Sequence, residues 1–142
     1  MSQLTFDLLR RMGMNAELLA TDWGSLVARR ANKEPGQWNV FCTGFTGADQ
    51  VDPAVNVQMR ANGGDAWAGW PDVPEIEAAR TRWFNATSRE EQQAAVLEIQ
   101  RQAFAHAPYA TLAIIRFPSG LRNEVQDPLT GPAPLFWNVR KG

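Results

Sequence analysis

The sequence predicts an α/β fold, a mostly parallel sheet flanked by helices, and three observations carry that expectation. Between Met14 and Phe45 a strand, a helix and a second strand succeed one another within about thirty residues, the order of a βαβ unit. The second strand carries Trp38, Val40 and Cys42 on one face and Phe41 and Phe45 on the other, the pattern of a strand covered on both sides. Farther on, YATLAIIRF, Tyr109 to Phe117, is nearly continuous in apolar residues and reads as another buried strand. A chain of 142 residues with 44% hydrophobic content is long enough to bury a core as one domain, residues 1–142.

The elements follow in order. Ser2 suits the cap of a helix to about Met12, where Leu4, Leu8 and Met12 form one stripe, Arg10 and Arg11 suit the C-terminal dipole and Gly13 stops the turn. From Met14 the period changes to two, with Met14, Ala16, Leu18 and Ala20 alternating with Asn15, Glu17 and Thr21 up to Asp22, which suits an N-cap. A short helix from about Trp23 to Ala31 is broken by Glu34, Pro35 and Gly36, and the strand from Trp38 follows. Asp52 and Pro53 fit the N-cap and first position of a third helix through Arg60, after which NGGDAWAGWPDVP is a long loop. Asp72, Pro74 and Glu75 mark a helix start running to about Phe84, and Ser88 with Glu91 marks another running to about Ala105, with Ala95, Ile99 and Gln102 or Ala103 along one line. The tail PLFWNV reads as a last strand or as an apolar clamp.

Composition excludes several classes of function. Fourteen basic against fifteen acidic residues, a net charge of −1, favour neither a nucleic-acid surface nor a polybasic membrane face. Cys42 is alone, so it pairs in no intrachain disulfide and belongs to no cysteine-rich metal site; it reads as a small buried hydrophobe. His106 is also alone, which disfavours a histidine metal site or a Ser-His-Asp triad. The GFTG stretch lacks the lysine and hydroxyl of a phosphate loop, and Ser119 has Phe117 where a nucleophile elbow needs glycine. No cofactor and no metal are expected.

Among the loop carboxylates Asp49, Asp52, Asp65 and Asp72, a pair would in principle serve glycoside hydrolysis. Asp52 and Asp72 are accounted for as helix caps and Asp65 as a turn residue beside Gly63 and Gly64, so Asp49 alone stands without a local role. Trp67 and Trp70 stand out because a loop does not require two indoles for its own stability; they suit covering a helix end or a partner surface, with a cleft role behind these.

The ordered set LLRRMGMNAELLATDWGSLVARR, WNVFCTGFTGADQVDPAV, AGWPDVPEIEAAR, REEQQAAVLEIQRQAFAHAPYATLAI and FWNVRK resembles the C-terminal part of the family 5 extracellular solute-binding proteins of ABC importers, over Leu4 to Arg140. The resemblance implies a periplasmic-binding-protein-like type II lobe, this chain being a C-terminal lobe segment of a longer, secreted, two-lobed periplasmic protein. It implies as partners a small peptide-like or cationic solute, the missing N-terminal lobe and ABC permease subunits, with no nucleic acid, and a sheet edge open to pairing with a second copy. In peptide-binding members the loop after the strand matching Trp38 to Phe45 carries an aromatic residue and then an aspartate that pairs with the ligand's ammonium. Those roles fall on Phe45 and Asp49, with Thr46 between them and Asp52 as the cap; Phe45 stands where tryptophan is usual, and the spacing to Asp49 is one residue longer. The reading is of a binding protein without catalytic residues. Its rivals are a carboxylate-dependent hydrolase and an aromatic sugar- or protein-binding module built on Trp67 and Trp70.

Overall fold

Four of the five expected helices form, whereas the one expected from Asp52 through Arg60 and the parallel sheet do not. The computed structural model describes residues 1–116, 118–131 and 135–142. They divide into two compact units, Met1–Gly44 and Phe45–Gly142.

In the first unit, α1 (Ser2–Arg11) starts without a side-chain cap: Met1 occupies the cap position, so Ser2 is the first helical residue and not the cap. It ends as its glycine requires. Gly13 sits at φ +86°, and the amides of Gly13 and Met14 donate to the carbonyls of Arg10 and Leu9, both at 3.0 Å. The helix α2 (Trp23–Arg30) is capped by Asp22, whose carboxylate accepts from the Ser25 amide at 3.0 Å and from its hydroxyl at 2.6 Å. These bonds favour the ionised carboxyl and hold Asp22 below the usual carboxylate range. After the turn at Glu34–Gln37, residues 38–44 form no regular element and are tied to the helices by side-chain contacts. The Arg29 Nε donates to the Gln37 carbonyl at 2.8 Å, the Arg30 guanidinium stacks over the rings of Trp23 and Phe41, and the Cys42 thiol donates to the Thr5 hydroxyl at 3.4 Å. No described residue of this unit is fully buried, and the Leu4, Leu8 and Met12 stripe of α1 faces outward.

The second unit holds the core. Its main element is a helical hairpin, α3 (Pro74–Asn85) and α4 (Arg89–His106), in which Ile76, Ala79 and Arg80 of one helix and Ala95, Ile99 and Gln102 of the other are buried. The line Ala95, Ile99, Gln102 is the one the periodicity picks out. Ser88 caps α4 through the Glu91 amide at 3.1 Å, and the Glu91 carboxylate reaches back to the Thr87 amide at 2.7 Å, one residue before the cap. The Thr87 amide and hydroxyl bonds draw Glu91 below its usual range. Ala107, in the left-handed region at φ +44°, closes α4 by donating to the Ala103 carbonyl at 2.8 Å.

Two expected helix starts are corrected. Val73, not Asp72, holds the cap position of α3, with Pro74 at its first turn, because Asp72 is taken by an antiparallel bridge to Asn62. Asp52 does cap, accepting from the Ala54 and Val55 amides at 2.8 and 3.3 Å, but it starts only a single turn, succeeded by a 3₁₀ turn over Val57–Met59 that Asn56 caps afresh. Ala61, Val73 and Ile76, with Met59 packed against them, join this segment to α3 in one apolar cluster.

The fold class is the main correction. Among the described residues the sheet consists of two short antiparallel strands, β1 (Val125–Gln126) and β2 (Arg140–Lys141), in the register Val125 to Lys141 and Gln126 to Arg140. Residues 14–20, 38–45 and 109–116 form no strand, so neither the parallel sheet of a type II lobe nor the open edge expected to pair with a second copy is present. Apolar alternation says which faces a strand would bury, but a ladder also needs a neighbouring backbone, and no described segment lies alongside these three. Ile114, expected inside a buried strand, is 92% exposed, and Trp137 of the tail, at 87%, clamps nothing. Phe117, at the end of the expected strand Tyr109–Phe117, and Pro134, at the start of PLFWNV, lie outside the described residues.

Candidate functional site

The three residues singled out by sequence stand together at the start of the second unit. Thr46 precedes a 3₁₀ turn over Gly47–Gln50, and the Asp49 amide donates to the Thr46 carbonyl at 3.1 Å. A short hydrogen bond from the Thr46 hydroxyl to Oδ2 of Asp49 closes the same turn on the side-chain side. The carboxylate is therefore aimed by its own loop, with Oδ1 left without a partner among the described residues and the whole side chain exposed. Gln50 adds a bond from its side-chain amide to the Asp49 carbonyl at 2.8 Å. Such a turn presents one oxygen of a fixed carboxylate to solvent, an arrangement suited to accepting from a cationic donor.

Phe45, one residue before, packs edge-on against Trp67, with ring centroids 5.5 Å apart and planes at 71°. That contact brings the long glycine- and tryptophan-rich loop to the carboxylate turn, a placement the sequence reading ranked behind a covering role for Trp67. The available signal was the surplus of indoles in a loop. The loop itself is strapped shut: Gly63 donates to the Pro71 carbonyl and Val73 to the Ala61 carbonyl, both at 2.9 Å, and Trp70 donates to the Trp67 carbonyl at 2.8 Å. Gly63 takes a left-handed φ of +65°, a conformation that favours glycine.

The other loop carboxylates are not gathered into a pair. Asp52 caps its turn, Asp65 lies in a 3₁₀ turn over Gly63–Asp65, and the Asp72 backbone pairs with Asn62. Among the described residues no group of three or more His, Cys, Asp or Glu side chains is placed to hold a metal ion. A concavity of about 570 Å³ lies between α3 and α4, lined by Arg82, Asn85, Glu91, Ala94 and Glu98 among others, and none of Phe45, Thr46 or Asp49 borders it. Its carboxylates are committed to the hairpin. Glu91 serves Thr87, and Glu98 accepts from Arg101 at 2.6 and 2.9 Å and from Gln102 at 2.8 Å, bonds that lower its pKa from 4.5 to about 2. The carboxylate turn is the better candidate because its charged group has an oxygen to offer.

No family model matches the chain. Over 143 aligned residues, 99% of its length, it is 32% identical to a probable peptide ABC transporter periplasmic-binding protein of Sinorhizobium fredii. The chain spans 27% of that relative's own length. From one end to the other, then, it is similar to a periplasmic-binding protein of an ABC transporter, and the resemblance carried by its motifs is supported by a curated relative.

Proposed function

We propose that this chain is a segment of the C-terminal lobe of the periplasmic solute-binding component of an ABC importer for peptides or related cationic solutes, and that it catalyses no reaction. The observation that carries this reading is the similarity to the Sinorhizobium fredii protein over 99% of the chain. The carboxylate turn supports it: Asp49 is the contact for a ligand ammonium, Thr46 orients it and Phe45 forms the apolar wall beside it. The partners are an N-terminal lobe and the permease subunits. Exposed apolar faces support a larger assembly, since the α1 stripe, Ile114 and Trp137 show patterns of burial and have nothing described upon them.

A carboxylate of this kind is well solvated when open and binds an ammonium weakly. Closure of a second lobe excludes water, strengthens the pair and shifts the population toward the closed state through contacts made only there. On the 142-residue chain, an exposed pair worth about 1 kcal/mol falls short of the roughly 4 kcal/mol of a millimolar complex, so binding is weaker than millimolar and is followed by nuclear magnetic resonance. Addition of glycinamide, a cation without a carboxylate, moves the backbone amide signals of Thr46 to Gln50, and N-acetylglycinamide, which lacks the ammonium, leaves them in place. In Asp49→Asn the response to glycinamide is lost. Equal shifts in wild type and Asp49→Asn would remove Asp49 from the site.

A further inference from the structure

We infer that Trp67 is a specificity-determining residue of this site, the apolar contact for the side chain of the ligand residue that carries the ammonium. The inference rests on the reading of Asp49 as the ammonium contact and assigns the ligand class more narrowly: a peptide-type cation whose first residue bears an aromatic or large aliphatic side chain. Three features of the structure lead to it.

Trp67 meets Phe45 at 5.5 Å between ring centroids, and both rings are partly exposed. Phe45 adjoins Thr46, whose hydroxyl holds Asp49, so the aromatic pair and the carboxylate flank one ordered turn, Phe45 standing four residues before Asp49. On this adjacency the side chain beside an ammonium held by Asp49 is assigned to the Phe45–Trp67 pair.

The backbone of the loop that carries Trp67 is also held firmly. Trp70, at φ +48°, occupies a region that bulky residues rarely adopt, and Gly69 stands at φ +110° beside it. Strain of that kind persists where surrounding bonds over-determine the backbone, here the Trp70 to Trp67 bond and the two straps at Gly63 and Val73. A rigid aromatic anchor selects among apolar groups at small entropic cost.

The test compares glycinamide with phenylalaninamide on the full 142-residue chain, following the Thr46–Gln50 amides and the indole N–H signals. In wild type, phenylalaninamide binds about fivefold tighter than glycinamide, the increment of one aromatic pair. Trp67→Ala brings the two within about twofold, which is below that increment, while the glycinamide response and its dependence on Asp49 persist; Trp67→Phe restores the preference. A preference retained in Trp67→Ala overturns the role of Trp67 and leaves Asp49 standing. Loss of the glycinamide response in both Trp67 variants assigns the indole to loop structure and likewise overturns the proposal. A wild-type glycinamide response indifferent to Asp49→Asn, or none at all, instead overturns the reading of Asp49, and the role of Trp67 with it.

Discussion

Arg80 is the residue on which the second unit's loop packing turns. Only 6% exposed, it donates from Nη1 to Glu77 at 3.0 Å and from Nη2 to the Pro53 carbonyl at 3.2 Å, while Oε1 of Glu77 also accepts from the Ala61 amide at 2.7 Å. One buried cation therefore ties the turn after Asp52 and the start of the tryptophan loop to α3. Arg80→Met keeps much of the volume but leaves the Pro53 carbonyl without its donor and removes the charge partner of Glu77. We expect a loss of about 2–3 kcal/mol in urea unfolding, the scale of breaking a buried, hydrogen-bonded charge pair. A loss below about 0.5 kcal/mol, the range of an ordinary surface change, would show that the network is dispensable. Nothing in the sequence marks Arg80 for burial, because its partners lie 27 residues away at Pro53 and three away at Glu77. By contrast the bond between Thr46 and Asp49 spans only three residues of one turn, and the sequence singles those two residues out through the family resemblance. Trp67 was legible as a residue without a structural task, but its neighbour Phe45 was not.

At the scale of elements, signals that act within a few residues are the ones realised. Asp22 and Ser88 cap as their position before an apolar period predicts, and Gly13 ends α1 through backbone bonds only five residues long. Where a local signal failed, a longer contact had claimed the residue, as with Asp72 and its bridge to Asn62. Surface electrostatics along α4 give a prediction at this scale. Glu98 is stabilised as a carboxylate chiefly by hydrogen bonds from Arg101 and Gln102, and then by the charges of Arg101 and Arg82; the pairing correspondingly raises the pKa of Arg101. Its folded pKa of about 2 lies below the ordinary 4.5, so the unfolded chain takes up the proton first on acidification. The contribution of Glu98 is thus fully present above about pH 4.5 and is lost as the pH falls toward about 2. Asp22 and Glu91, also lowered, act in the same sense. Acid titration of helicity in Glu98→Gln should show a shallower loss across that window than wild type; superimposable curves would mean that the Glu98 bonds do not survive in solution.

The whole molecule comprises two units of different character. The unit over residues 45–142 has buried apolar positions at Ala61, Val73, Ile76, Ala79, Ala95 and Ile99, whereas the unit over 1–44 has none among its described residues. Protection against amide exchange follows buried contacts, because an element without them opens at little cost. Hydrogen exchange followed by mass spectrometry is expected to find α3 and α4 protected far longer than α1 and α2. Equal protection of α1 and α4 would show that the apolar stripe of α1 is covered in solution.

Taken by itself, the sequence determined the four helices that form, the caps at Asp22 and Ser88, the stop at Gly13 and the family likeness, because each depends on residues near one another in the chain or on their order. Only the tertiary structure decided which apolar segments become strands, where Arg80 is buried and that Trp67 meets Phe45. A helix closes its hydrogen bonds within itself, so a local pattern suffices to specify it. A strand closes them on another backbone, and residues 38–45 and 109–116 carry the apolar pattern of buried strands without a described partner to complete the ladder.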